Sequence, residues 1–117
     1  EFSALANADK RARNILAKSK KEPDAYPANE KLCKEKAEQD LLTKTRELRN
    51  QVDNLAKEGN FEAALLLTVQ ISHAVTIFFD SVMVNTEEKD LRLNRFRLLE
   101  EVTELTNRVA DISKLAT

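Results

Sequence analysis

Leu91, Leu98, Leu105 and Ile112 recur every seven residues, and Val102 and Val109 add a second line between them. Seven residues close almost two turns of α-helix, so this spacing lays one continuous apolar stripe along a single helix face. A strand would send the same residues to alternate sides. Leu99 and Leu115 widen the stripe. Asn85 or Thr86 is suited to cap this helix, and Glu87, Glu88 and Asp90 favour its positive end. Such a stripe needs partner helices. Three further amphipathic segments precede it, so antiparallel bundle packing within one chain is more economical than a two-chain coiled coil.

The first of these segments is expected over about residues 3–19, where Leu5, Ala8, Ala12, Ile15 and Leu16 follow helical spacing. Residues 20–28, KKEPDAYPA, read as a loop because Pro23 and Pro27 both restrict the backbone. A second helix begins near Pro27 to Asn29 and runs towards Lys57, with Ala37, Leu41, Leu48, Val52 and Leu55 facing the core and a kink expected near Thr43–Thr45. Gly59-Asn60 is the clearest stop signal. Residues 61–69 are apolar around much of a helical circumference, as in a central helix. HAVTIFFDSVMVN, from His73 onward, carries β-branched residues that suit a strand. A lone strand has no partner here, and a second helical section after a bend near Ser72 is expected. One glycine and two prolines among 117 residues leave little punctuation for many strands. The expected fold is all-α, a four- to five-helix bundle forming one domain over residues 1–117 of a larger parent protein.

Catalytic chemistry has few carriers. The chain has one histidine, one cysteine and one tyrosine. His73 has no metal-ligating neighbours in sequence and is expected to be a partly buried helix residue. Cys33 can form no internal disulfide and reads as a small, partly buried hydrophobe on a helix. Glu100, Glu101 and Glu104 fit a charged helix face, paired at four-residue spacing with Arg97 and Arg108. No continuous apolar run reaches membrane-spanning length and no signal-peptide pattern opens the chain, so a cytoplasmic location without membrane contact is expected. The formal net charge is -1, yet residues 1–21 hold six basic and two acidic side chains. Asp80 interrupts an apolar run and is expected to fix a helix junction, the alternative being contact with a nucleotide donor. From residues alone, a helical binding or interaction module follows, with RNA one candidate ligand.

Two blocks sharpen that reading. Phe2 to Leu16, with Lys10-Arg11 and Asn14-Ile15-Leu16, resembles the LA-x-AnKRi-x-NIL segment of the bacterial glycyl-tRNA synthetase beta subunit. Val75 to Asn85, followed by Leu91-Arg92-Leu93-Asn94-Arg95-Phe96-Arg97-Leu98-Leu99, resembles that family's VD-x-FFD-x-VMVM and LR-x-NRLxLL segments. The Ala110 to Leu115 ending is similar too, so the blocks keep the family's order across nearly the whole chain. Related helical domains occur in arginyl-tRNA synthetases. His73-Ala74, Thr76, Asn85, Phe96 and Asp9 depart from the family's usual choices.

The resemblance implies the C-terminal anticodon-binding domain of that subunit. Its partners would be the glycine tRNA anticodon stem-loop, the rest of the beta subunit and an alpha subunit in an alpha2-beta2 complex. ATP and Mg would serve aminoacylation in the parent, with no cofactor in this chain. Lys10, Arg11 and Arg13 are the first residues expected at RNA, with Lys18 further along the same helix. Asn14 would read a base edge or serve local structure. Arg92 and Asn94 divide between RNA contact and structural support. Arg95, which falls within the apparent apolar stripe, would pair with Asp80 across the bundle or support RNA contact. Phe78 and Phe79 would build the core, or stack on bases if exposed. An anticodon site requires Lys10, Arg11, Arg13 and Arg92 to share one accessible face. The alternative is a docking module with an exposed apolar patch and no base-specific recognition.

Overall fold

A computed structural model describes residues 2–19, 27–84 and 86–116. Its helices are α1 (Phe2–Ser19), α2 (Lys36–Lys57), α3 (Phe61–Thr68), α4 (Gln70–Ser81) and α5 (Lys89–Ala116), with a short 3-10 turn at Glu30–Leu32 before α2. There is no strand among the described residues. α3 and α4 form one arm bent at Val69, which makes the assembly a four-membered bundle of five helices, 44 Å long and 25 Å across. The β-branched run after His73 is therefore helical. Its apolar side chains find a buried face: Ile71, Val75 and Phe78 are all fully buried.

The heptad residues pack as their spacing requires. Leu98, Val102 and Leu105 are fully buried, and Leu91 and Val109 nearly so. Leu41, Leu48 and Val52 of α2 meet them in the same core, and each such side chain contributes about 1.5–3 kcal/mol on burial. From α1 the buried contributions are Ala8 and Ala12, four residues apart, which let that helix lie close against α5. The side chains of Leu5, Ile112 and Leu115, the 20–26 loop and Asn85 lie outside the described residues.

Ion pairs set the direction of α2 against α5. Arg46 meets Glu101 at 3.0 Å, Arg49 meets Glu104 at 3.7 Å and Arg108 meets Asp53 at 3.0 Å. Partners rise together along both helices at a constant separation of 55 residues, so the two run parallel. The bent α3–α4 arm returns between them in sequence and packs on both. These pairs cross between helices, where the sequence had suggested that Glu101, Glu104 and Arg108 pair along α5. Glu101 and Glu104 lie toward α2, and its arginines are within reach.

Some local features differ from the sequence reading. α2 shows no break near Thr43–Thr45, because Thr45 is buried in an unbroken helix and its hydroxyl donates to the Leu41 carbonyl at 2.7 Å. The interruption comes earlier, at residues 33–35, where Glu35 and Glu38 form a capping box. Cys33 accordingly sits in this connection, off any helix, and is almost fully buried. α5 begins at Lys89, later than an Asn85 or Thr86 cap would place it, because Arg92 donates to the carbonyls of Thr86 and Glu87 and holds them outside the helix. Finally, Phe61–Ser81 taken as one stretch is long and apolar enough to cross a membrane by length and composition. The polar residues that break it in sequence are too few to lower its average. A third of it is buried within the bundle, and Val69 bends it.

Buried polar groups fasten the connections. Arg95, 7% exposed, meets the fully buried Glu38 at 2.9 Å and donates to the Met83 carbonyl at 2.6 Å. Asp80, exposed on α4, is not its partner; Glu38 lies nearer the centre of the bundle and takes that role. Asn94, fully buried, accepts from the Asn29 N–H at 2.6 Å and donates to the Asn29 carbonyl at 3.1 Å. Burial, and then the nearby Glu38 carboxylate, push the Cys33 thiol above its usual range.

Three measurements test this frame. Gly59 closes α2 at φ +79° with a Schellman pattern, Asn60 N–H to Leu55 at 2.8 Å and Gly59 N–H to Ala56 at 3.0 Å. A Cβ there meets nothing within 4 Å, so Gly59→Ala should cost only its backbone strain, about 1–2 kcal/mol in urea denaturation. Arg95→Met should cost about 3–5 kcal/mol by leaving the buried Glu38 carboxyl without its arginine. Glu38→Leu added to it should restore part of that loss, and a double variant no more stable than Arg95→Met would contradict the pairing. Cys33 should resist a water-soluble disulfide reagent near neutral pH until the chain is unfolded, reacting faster as pH rises, since its thiolate is scarce below the raised pKa.

Candidate nucleic-acid interface

α1 presents a basic exposed face. Lys10, Arg11, Asn14 and Lys18 are all exposed, and at about 100° per residue they fall within one arc of roughly 100° beside the buried stripe of Ala8 and Ala12. Arg11 and Lys18 lie nearly in line, about 10 Å apart along the axis. Arg11 flanks α4, with its guanidinium carbon 4.3 Å from the centroid of the Phe79 ring. Arg13 lies on the opposite flank, towards α5. Its Nε donates to Asp9 at 2.8 Å and its Nη2 to the Asn107 side chain. Asp9 also accepts from the Thr106 hydroxyl, so this acid anchors α1 to α5.

Arg92 is elsewhere. Along α5 it stands fifteen residues before Asn107, about 22 Å of helix, with its guanidinium turned to the carbonyls of residues 86 and 87. The single face expected for Lys10, Arg11, Arg13 and Arg92 is therefore divided: Arg13 and Arg92 do not meet. Asn94 is withdrawn altogether. Its amide is used on Asn29 and on Cys33 Sγ at 3.6 Å, which leaves no edge for a base. Asn94 and Arg95 thus hold the fold, and of the two roles the sequence left open for Asn94, its burial and bonding favour structural support. Asp80 is exposed near the end of α4. His73 is exposed as well, not partly buried as expected, because it faces a groove between α2 and α4 with Asp40, Glu47 and Ile77.

A second basic region was not evident in the sequence. Residues 27–31, Arg46 and Arg97 line an open groove of about 570 Å³ beside the 3-10 turn. Arg46 grips both oxygens of Glu101 at 3.0 Å and donates to the Ala28 carbonyl at 2.8 Å, while Glu101 accepts from the Ala28 N–H at 2.9 Å. Those bonds hold the Arg46 guanidinium more firmly in its charged form, against the opposing effect of burial. The groove thereby has a fixed backbone floor with Lys31 exposed at its rim. The sequence placed the end of a loop and the start of a helix near Pro27 to Asn29, but only the fold brings Arg46 and Arg97 to it.

Comparison with known proteins agrees with the helical architecture. Residues 5–112 match the model of the DALR anticodon binding domain. The chain is 42% identical over 113 residues to the glycine–tRNA ligase beta subunit of Enterobacter sp. (strain 638), covering 97% of this chain and 16% of that protein. The beta subunit of Erwinia tasmaniensis is 43% identical over 115 residues, covering 98% of this chain and 16% of the relative. That of Paracidovorax citrulli is 43% identical over 116 residues, covering 99% and 16%. The chain thus spans about one sixth of the length of these relatives. With a match over nearly all its residues and a bundle of the expected class, the chain belongs to the DALR anticodon binding domain family.

Proposed function

We propose that this chain binds the anticodon stem-loop of glycine tRNA, as one helical module of a longer glycyl-tRNA synthetase beta subunit. The observation that carries the reading is the exposed arc of Lys10, Arg11, Asn14 and Lys18 on α1, within a domain of this family. Flexible lysines suit phosphates, and Arg11 and Asn14 between them offer planar hydrogen-bonding groups to unpaired bases. Arg13, tied to Asp9 and Asn107, sets one border of the surface. Arg92 lies apart from this arc and holds the segment before α5. The described residues contain no group of three His, Cys, Asp or Glu side chains suited to a metal ion, and the single glycine forms a helix-ending turn. By the same family likeness, glycine activation with ATP and Mg belongs to the rest of a cytoplasmic alpha2-beta2 parent.

A docking role has its own support. Leu66 and Ile77 are 54% and 43% exposed on the α3–α4 arm, and Met83 beyond it is 73% exposed. Leu66, Gln70, His73 and Ile77 follow one line at helical spacing, a mixed face suited to the rest of the beta subunit. The two roles use different sides of the molecule and are compatible.

Titration with a glycine anticodon hairpin and with the same hairpin carrying altered anticodon bases separates them. Preference for the glycine anticodon is expected. Lys10→Ala with Lys18→Ala should reduce the slope of log affinity against log salt by about 1.4, near 0.7 per lost phosphate contact. Equal binding to both hairpins would overturn base recognition and leave the docking role.

A further inference from the structure

We propose that Arg11 and Phe79 form a stacking platform for one unpaired base of the RNA loop, an inference that rests on the anticodon-loop reading above. Phe78, fully buried, meets the Phe79 ring with centroids 5.6 Å apart and planes tilted by 59°. Phe79 is itself half-buried, and the Arg11 guanidinium covers it with Cζ 4.3 Å from the ring centroid. The three side chains step outward from core to solvent. Phe78 fixes Phe79, Phe79 fixes the guanidinium, and the exposed Arg11 presents its outer side to solvent.

This arrangement differs from an ordinary surface arginine. No carboxylate pairs with Arg11 among the described residues, whereas Arg13, two positions on, is bound to Asp9. A guanidinium lying over an aromatic ring has one face covered by that ring and leaves its edge N–H groups and its other face open to a ligand. Unpaired RNA bases stack on aromatic rings and on arginine planes. Lys18, almost in line with Arg11 along α1, is placed for the phosphate strand beside the stacked base. Phe79 is thus a positioning residue. It acts on RNA through Arg11, which explains an aromatic side chain kept half out of the core.

The test uses the full chain and anticodon hairpins carrying 2-aminopurine at successive loop positions. The chain has no tryptophan, so the fluorescence belongs to the RNA. One position should be quenched on binding. Arg11→Lys keeps the charge but removes the plane, and Phe79→Leu keeps bulk but removes the ring. Each should abolish that quench and weaken binding roughly tenfold, with the salt slope unchanged because no charge is lost. Arg11→Lys lies on the surface and so reports on the site even if Phe79→Leu lowers stability, which a thermal melt records. Binding with no quenched position, or a quench unaltered in Arg11→Lys, overturns the platform and leaves the anticodon reading intact. Failure of the unsubstituted chain to bind any hairpin overturns that reading and the platform with it.

Discussion

The buried pair between Arg95 and Glu38 decides how the helices are set. Placing two charges at 7% and 0% exposure gains little net stability, since desolvation offsets most of their attraction. Its larger effect is on uniqueness. Glu38 also accepts from the Glu35 N–H at the start of α2, and Arg95 donates to the Met83 carbonyl between α4 and α5. One pair therefore fixes the first turn of α2, the α4–α5 connection and the rotation of α5. Glu38 Oε2 and Arg95 Nε remain without hydrogen-bond partners among the described residues, so the pair is not fully satisfied.

A repeating apolar stripe needs such a device. Leu91, Leu98 and Leu105 are nearly equivalent, and sliding α5 by seven residues, about 10 Å, would replace one leucine by the next at little apolar cost. The same slide would strand Glu38, leave Asn29 without Asn94 and separate Glu101 from Arg46 and Ala28. Each lost buried partner costs more than the hydrogen bond itself contributed. Polar residues on α5 thus choose one register among several that the leucines allow. That register also sets α1 in place, because Asp9 and Arg13 seek Thr106 and Asn107.

The sequence made the helices legible and left their pairing obscure, for a physical reason. The stripe from Leu91 to Val109 and the stop at Gly59 are local, and local spacing determines them. Whether Asn94 faces RNA or the interior depends on Asn29, far away in the chain, and nothing near Asn94 says so. The same holds for Arg46 and Glu101. The sequence reading pairs Arg95 with Asp80, but the fold brings it Glu38 from α2 instead, a choice made in three dimensions. Exposure of Lys10, Arg11 and Lys18 follows from the alanine stripe at Ala8 and Ala12 and so was readable. The ring beneath Arg11 was not, because α4 supplies it.

A formal charge of -1 looks unpromising for a nucleic-acid surface, but net charge is the wrong quantity. Charges beyond about 10 Å are screened at ordinary salt, so an RNA strand on α1 responds to what lies within a few turns of it. Four of the twenty acids are occupied elsewhere: Glu38, Asp53, Glu101 and Glu104 each meet an arginine between α2 and α5. Such pairs are close to neutral from a distance. Asp9, the acid on α1 itself, is drawn to Arg13 and Thr106 on the flank facing α5, away from Lys10 and Lys18. Pairing acids with arginines across the bundle therefore does two things at once. It registers the helices, and it leaves α1 with a local positive surface that the overall balance conceals.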